Sequence, residues 1–354
     1  MLESITVRNF KGIKTLEIEH LSKLTLIGGK NNCGKTSLME AMFMQFDRMN
    51  PHITIRQSLA RGVSIIPTEP EFMWAPIFNE FNLSKKIAIE SKFNGKRKAL
   101  EIEINKNFKK TIPGNIHSIN GIQNNAPTPV DALTLKFFQA SQEIEKSNLI
   151  LEKTGFNLNI EHSNGSVMPS SFFPARQQSN PNEDAERLGR LEIENGTNDI
   201  VGVLKSIAPE IKSITAIRIA DASMIYADIG QTKKVPISYM GDGISRLLSI
   251  TLAIATCKNS VVFIDEIENG LHYSVLEKIW LGLAKASQRF NCQIIATTHS
   301  HEFLTSACNA LKNEPSLVNE FSYIRLTNKN NNILGKYFDS KLLDFAIESE
   351  MEIR

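Results

Sequence analysis

Eight residues near the start of the chain, Gly29-Lys30-Asn31-Asn32-Cys33-Gly34-Lys35-Thr36, fit the pattern G-x-x-x-x-G-K-[ST] at each fixed position. They stand between an apolar stretch, Leu24 to Ile27, that reads as a strand, and a segment from Thr36 onward that reads as a helix. Few short patterns constrain a fold more. The glycines let successive backbone N–H groups turn inward around phosphate oxygens, and the helix N-terminus adds the positive end of its dipole. On this reading Gly29 to Thr36 and the adjoining Ser37 bind the phosphates, Lys35 reaches the terminal ones, and the Thr36 hydroxyl holds Mg²⁺. Cys33 at such a helix start is either a small residue that fits the loop or a thiol with a lowered pKa.

Further along, Val261-Val262-Phe263-Ile264-Asp265-Glu266 places two acids after four apolar residues, the form of a buried strand emerging beside phosphates. Asp265 is expected to bind Mg²⁺, and Glu266 to orient and deprotonate the attacking water. Ile294-Ile295-Ala296-Thr297-Thr298-His299-Ser300 repeats the design, with His299 as a candidate sensor of the γ-phosphate.

The remainder of the chain frames these motifs. Leu38, Met39, Met42, Phe43 and Phe46 fall at helical spacing, with one face of that helix in the core. Residues 86–104 alternate around Asn94-Gly95 as an antiparallel hairpin. Residues 111–131 read as a loop rich in Asn, Pro and Gly. Ala185, Leu188 and Leu191 share one helical face, and Ile200, Val203, Leu204 and Ile207 another, which gives a small helical insert. Short strands follow, then a helix from Ile244 and a second from Tyr273 to Phe290. The expected fold is α/β, a mixed-sheet P-loop core with an N-terminal antiparallel β region. It divides into 1–178 with the phosphate loop, 179–240 with the insert and short strands, and 241–354 with the later motifs.

Composition sets outer limits. The 354 residues carry 40 basic and 38 acidic side chains, a net charge of +2, so the overall field neither requires nor excludes nucleic acid. Lys92, Lys96, Arg97 and Lys98, with Lys106, Lys109 and Lys110, read as solvated hairpin edges. No apolar run approaches a membrane span. With scattered cysteines and no signal-like start, a reducing cytoplasm is expected.

The order of the motifs, with Gly241-Asp242-Gly243 before Asp265-Glu266 and Glu268-Asn269-Gly270-Leu271-His272 after it, resembles the ABC-type ATPases of the SMC, RecF and OLD clade. Within that clade it is similar to the short single-head AAA-family ATPases that accompany bacterial anti-phage systems. The resemblance implies ATP and Mg²⁺ as ligands, and a dimer closed over nucleotide. It further implies nucleotide contacts from Asn9 and Lys11, since Arg8-Asn9-Phe10-Lys11 is similar to the clade's opening strand. Gly241, Asp242 and Gly243 stand at the signature that reaches the partner's γ-phosphate, although the transporter form L-S-G-G-Q has a serine where Gly241 is. The segment 268–272 takes the place of a turn at the dimer interface. A glutamine that senses Mg²⁺ is expected before the insert, as Gln177 or, in competition, Gln139. The partners implied are a second copy and a separately encoded effector such as a Toprim-type nuclease, since only 55 residues follow His299 (354 − 299). A DNA-repair or chromosome-associated clamp that binds DNA directly, and a regulator that binds nucleotide without hydrolysis, are the competing readings.

Overall fold

The computed structural model describes residues 1–47, 70–110, 128–152, 155–164, 168–175 and 180–349. Strands β1 (Leu2–Phe10) and β2 (Ile13–Ile18) open the chain, and β3 (Leu24–Gly28) leads through the glycine loop into α1 (Lys35–Met44). After the short α2 (Pro70–Trp74) come β4 (Ile87–Phe93), β5 (Lys96–Lys110), β6 (Thr128–Gln139), β7 (Gln142–Glu152), β8 (Gly155–Ser163) and β9 (Ser171–Phe173). The insert consists of α3 (Pro181–Ile193), α4 (Thr197–Leu204), β10 (Ser213–Ile219), β11 (Ala222–Asp228) and β12 (Val235–Pro236). The last part runs α5 (Asp242–Thr256), β13 (Val261–Ile264), α6 (Leu276–Phe290), β14 (Gln293–Thr297), α7 (His301–Asn313), β15 (Phe321–Lys329), β16 (Asn332–Asp339) and α8 (Ser340–Glu348).

A seven-stranded antiparallel sheet, in the order β2-β1-β4-β5-β6-β7-β8, faces a six-stranded sheet in the order β16-β15-β3-β14-β13-β9. In the second sheet only β16 runs against its neighbour. Its central strands are buried on both faces, as their unbroken apolar runs require. Alternate side chains therefore enter different cores. Val261 and Phe263 pack toward α1 and the antiparallel sheet, whereas Val262 and Ile264 pack toward the helices α5, α6 and α7.

The position of α1 between two sheets corrects the expectation of a one-faced helix. Leu38, Met39, Ala41, Met42 and Met44 are all fully buried. Phe43 lies 5.5 Å from the ring of Phe172 and 5.9 Å from that of Phe263, and Phe46 lies 5.6 Å from Phe263. A helix apolar nearly all round is what a doubly covered site demands. The phosphate loop at its N-terminus thus rests on a helix covered on both sides.

Other expectations fare unevenly. The 86–104 hairpin is present, with Phe93 opposite Lys96 and both turn residues at positive φ, Asn94 at 47° and Gly95 at 75°. Its lysines do not mark an edge, because β5 lies between β4 and β6. Thr128 to Asp131 belong to β6 rather than to a loop, while 111–127 lie outside the described residues. The helix expected from Tyr273 begins at Leu276, after a 3₁₀ turn that leaves Tyr273 71% exposed. The insert helices bury the expected faces, and Asn180 caps α3 by accepting from the backbone N–H of Asn182 and Glu183. Among the described residues no helix is long and apolar enough to cross a membrane.

Two outcomes test this packing. Phe263→Ala, which removes a fully buried ring shared by α1 and the sheet, should cost about 3–5 kcal/mol in urea unfolding; a change below about 1 kcal/mol would contradict it. Asp184 on α3 accepts a hydrogen bond from Ser249 of α5, and burial pushes its carboxyl up to about 6. Its folded pKa lies above the unfolded value, so the protonated form contributes stability at low pH that is lost as pH rises through about 6. Wild type should therefore lose urea resistance relative to Asp184→Asn between about pH 4 and pH 6, and parallel pH profiles would refute the assignment.

Candidate active site

The phosphate loop owes its shape to close contacts that exclude side chains. Gly29 has φ 135°, and a Cβ there would stand 2.3 Å from the carbonyl oxygen of Leu326 on β15. Gly34 has φ 92°, and a Cβ there would meet Ile333 of β16 at 2.6 Å. The β15–β16 hairpin thus leans on the loop, with Lys30, Asn31 and Asn32 left exposed at its crest. The Lys35 ammonium donates to the carbonyls of Gly29 (2.7 Å) and Lys30 (3.0 Å), which folds the side chain back over the loop. Ser37, with Asn32 and Gly34, lines a cleft that continues to Lys11, Gly12, Lys14 and the Asn328–Ile333 turn. Cys33 is buried, and burial pushes its thiol up against the opposing charge of Lys35. It packs into the loop rather than serving as a reactive thiolate.

The register of the parallel strands delivers the acids to this loop. Ile264 stands beside Ala296 and Thr297 beside Ile27, so the ends of β13, β14 and β3 lie in one row. The Thr36 hydroxyl donates to Asp265 Oδ2 at 2.9 Å, and the Thr297 hydroxyl donates to Asp265 Oδ1 at 2.6 Å. The N–H of Glu266 in turn donates to Thr297 Oγ1 at 2.8 Å. Both carboxylate oxygens of buried Asp265 are thereby fixed, and Glu266 leaves the strand at φ 49°. That left-handed conformation is strained for a glutamate and turns the chain sharply at the end of the strand.

Arg246 of α5 braces this turn from behind. Its guanidinium donates to the carbonyls of Pro174 (3.0 Å) and Asp265 (2.7 Å), with a longer contact to Glu266 (3.4 Å). Burial lowers its pKa, opposed by the charges of Asp265, Glu266 and Glu268. One side chain thus joins α5 to the loop after β9 and to the backbone of Asp265 and Glu266.

Thr36 and Asp265 bring two hard oxygens together at a helix N-terminus, a donor set that fits Mg²⁺. His299 is half-exposed at the end of β14, with Nδ1 3.1 Å from Glu268 Oε1. Gly241 and Asp242 are exposed at the start of α5, and Gly243 packs against Gly270, whose carbonyl oxygen would lie 2.4 Å from a Cβ on Gly243. The 241–243 turn and the 268–272 turn therefore touch within one chain.

Not every expected residue joins the cluster. Lys11 lines the cleft, yet its ammonium pairs with buried Glu40 of α1 at 2.6 Å. Asn9 turns its side-chain amide to the carbonyl of Lys86 at 3.0 Å, away from the loop. Gln139 ends β6 beside the β6–β7 turn, opposite Lys98, and Gln177 lies outside the described residues. Sequence reasoning missed the bridging role of Thr297 and Arg246 entirely, and named Glu268 only as part of an interface turn, without its contact to His299. The available signal for Arg246 was a lone cation among Ile244, Leu247 and Leu248.

The family model described as "AAA domain, putative AbiEii toxin, Type IV TA system" matches residues 24–305. A Helicobacter pylori protein named ATP/GTP phosphatase is 23% identical over 384 aligned positions, spanning 99% of each chain. Among solved structures, an Smc head bound to the C-terminal winged-helix domain of ScpA superposes with a TM-score of 0.53 at 11% identity, covering 98% of this chain and 99% of that one. An Smc head with an extended coiled coil, bound to a ScpA C-terminal domain derived from Pyrococcus furiosus, gives 0.50 at 10% identity, with 99% of each chain covered. These likenesses show the fold, an ABC-type P-loop ATPase head.

With all four cysteines buried, a thiol reagent such as DTNB should modify the native protein at least about tenfold more slowly than the urea-unfolded chain. Fast native labelling mapped to Cys33 would overturn the reading of its thiol as inert.

Proposed function

We propose, for a chain that belongs to this AAA-domain family, an ATPase switch: Mg²⁺-dependent binding and hydrolysis of ATP, which closes the head on a second copy and so governs a separate effector. The observation that carries the reading is the continuous chain of hydrogen bonds from Thr36 through Asp265 and Thr297 to the backbone of Glu266. It ties the phosphate loop directly to Asp265 and, through the Thr297 hydroxyl, to the backbone of Glu266. Lys35, released from the Gly29 and Lys30 carbonyls, would bind the terminal phosphates. Thr36 and Asp265 would hold Mg²⁺, which when bound offsets charge on the phosphate oxygens. Glu266 has no part in the bridging hydrogen bonds through its carboxylate, so it is the group that would take a proton from the attacking water.

The resemblance to a named ATP/GTP phosphatase supports hydrolysis and leaves the base open. ATP is favoured over GTP because Asn328-Lys329-Asn330-Asn331, at the turn beside the loop, lacks the aspartate that would read guanine. Closure on a second copy is supported by the exposed Gly241 and Asp242 at the N-terminus of α5, where backbone N–H groups can meet an anion of the partner. The link to defence is supported by the family description, which names a putative toxin of a type IV TA system.

Glu266→Gln should lower turnover by about 10²-fold or more while keeping ATP affinity, and should accumulate a dimer in light scattering with ATP and Mg²⁺. Lys35→Ala should lose both binding and dimer. A Glu266→Gln protein that stays monomeric with saturating ATP would sink the closure half of the reading, and one that hydrolyses at the wild-type rate would sink the catalytic half.

A further inference from the structure

Glu268 occupies a turn that the resemblance assigns to an interface with a second copy, yet its side chain is only 11% exposed and points into its own head. Its Oε1 accepts from the backbone N–H of His299 at 2.9 Å and of Ser300 at 3.1 Å, and faces His299 Nδ1 at 3.1 Å. Its Oε2 is buried and has no hydrogen-bond partner among the described residues. A carboxylate with one oxygen serving three donors and the other none is placed there by the loop that bears the histidine. Ser300 caps α7 by accepting from the N–H of Phe303 at 3.0 Å, so the anion also sits where that helix directs its positive end.

We infer that Glu268 is a positioning residue for His299, one that holds the ring with Nδ1 toward the protein and so reserves Nε2 for the γ-phosphate. This rests on the reading of His299 as the phosphate contact. The chemistry leaves little freedom. A carboxylate has no proton to offer, so Nδ1 carries the hydrogen in the contact with Glu268. Phosphate oxygens likewise only accept, so a ring bridging Glu268 and the γ-phosphate donates from both nitrogens. In the absence of the carboxylate, either nitrogen could turn to the phosphate, and the ring would lose its fixed orientation. Because Glu268 follows Glu266 by two residues in one turn, any displacement of the general base would carry the histidine with it.

The test uses the full chain. In ¹⁵N-histidine spectra, the His299 signal among the seven histidines is identified by its loss in His299→Ala. Wild type should show His299 protonated at Nδ1, and Glu268→Ala should lose that signature. In steady-state ATPase assays, Glu268→Ala should lower kcat by about 10- to 100-fold, with KM for ATP within about twofold. Glu268→Gln, whose carbonyl oxygen still accepts from the two backbone N–H groups, should recover most of the rate while matching wild type in urea unfolding. The double variant Glu268→Ala/His299→Ala should be no slower than His299→Ala alone. An unchanged Nδ1 signature in Glu268→Ala, or losses that multiply in the double variant, would overturn the inference. A slow His299→Ala beside a full-rate Glu268→Ala overturns this inference alone, whereas a full-rate His299→Ala overturns the phosphate-contact reading and the inference with it.

Discussion

Burial of β3, β14 and β13 on both faces governs the rest of the molecule. Their side chains are divided between two cores and have no aqueous face, so polar chemistry can be carried only at the carboxyl ends where each strand runs out. There the parallel register sets Ile264 beside Ala296 and Thr297 beside Ile27, so that Asp265 follows at the level of Thr297. A one-residue slip of β13 would, in one direction, carry Asp265 into the apolar interior and, in the other, put Ile264 at the phosphate loop. The apolar runs thus fix the geometry of the site as firmly as the polar residues that form it.

Given that row, a small polar network provides rigidity. Asp265 is buried, and the hydroxyls of Thr36 and Thr297 give each of its carboxylate oxygens a hydrogen-bond partner. Arg246 performs the same service for the backbone carbonyls that the sharp turn at Glu266 leaves without ladder partners. Its own burial is tolerated because three carboxylates surround it. Helix α5, the loop after β9 and the turn at Glu266 are therefore joined through one guanidinium.

The outer parts of the head reach the site less directly. The antiparallel sheet covers α1 and contributes Lys11 at the rim of the cleft, but the salt bridge to Glu40 fastens that lysine to the phosphate-loop helix. The insert packs α3 and α4 on α5 and α6, with the Asp184–Ser249 hydrogen bond at that junction. A change in the insert would therefore be felt first at the helix that opens with Gly241-Asp242-Gly243.

Much of this was legible in the chain alone, for local reasons. The phosphate loop, the pair Asp265-Glu266 and the strand ending at His299 are contiguous motifs whose chemistry depends on neighbours in sequence, and unbroken apolar runs reveal the buried strands. The Asn94-Gly95 turn is equally local, because it needs two residues that accept positive φ. What only the tertiary structure decided are contacts between distant segments: Thr297 on Asp265, Arg246 on the turn at Glu266, Glu268 on His299, and Lys11 on Glu40. Each joins residues between 19 and 32 positions apart. No local propensity encodes such contacts, because they depend on strand register and on the angle at which a helix crosses a sheet. The same limit explains why β5 reads as an edge from its lysines while lying inside a sheet: which strands flank it is settled by pairing, not by composition.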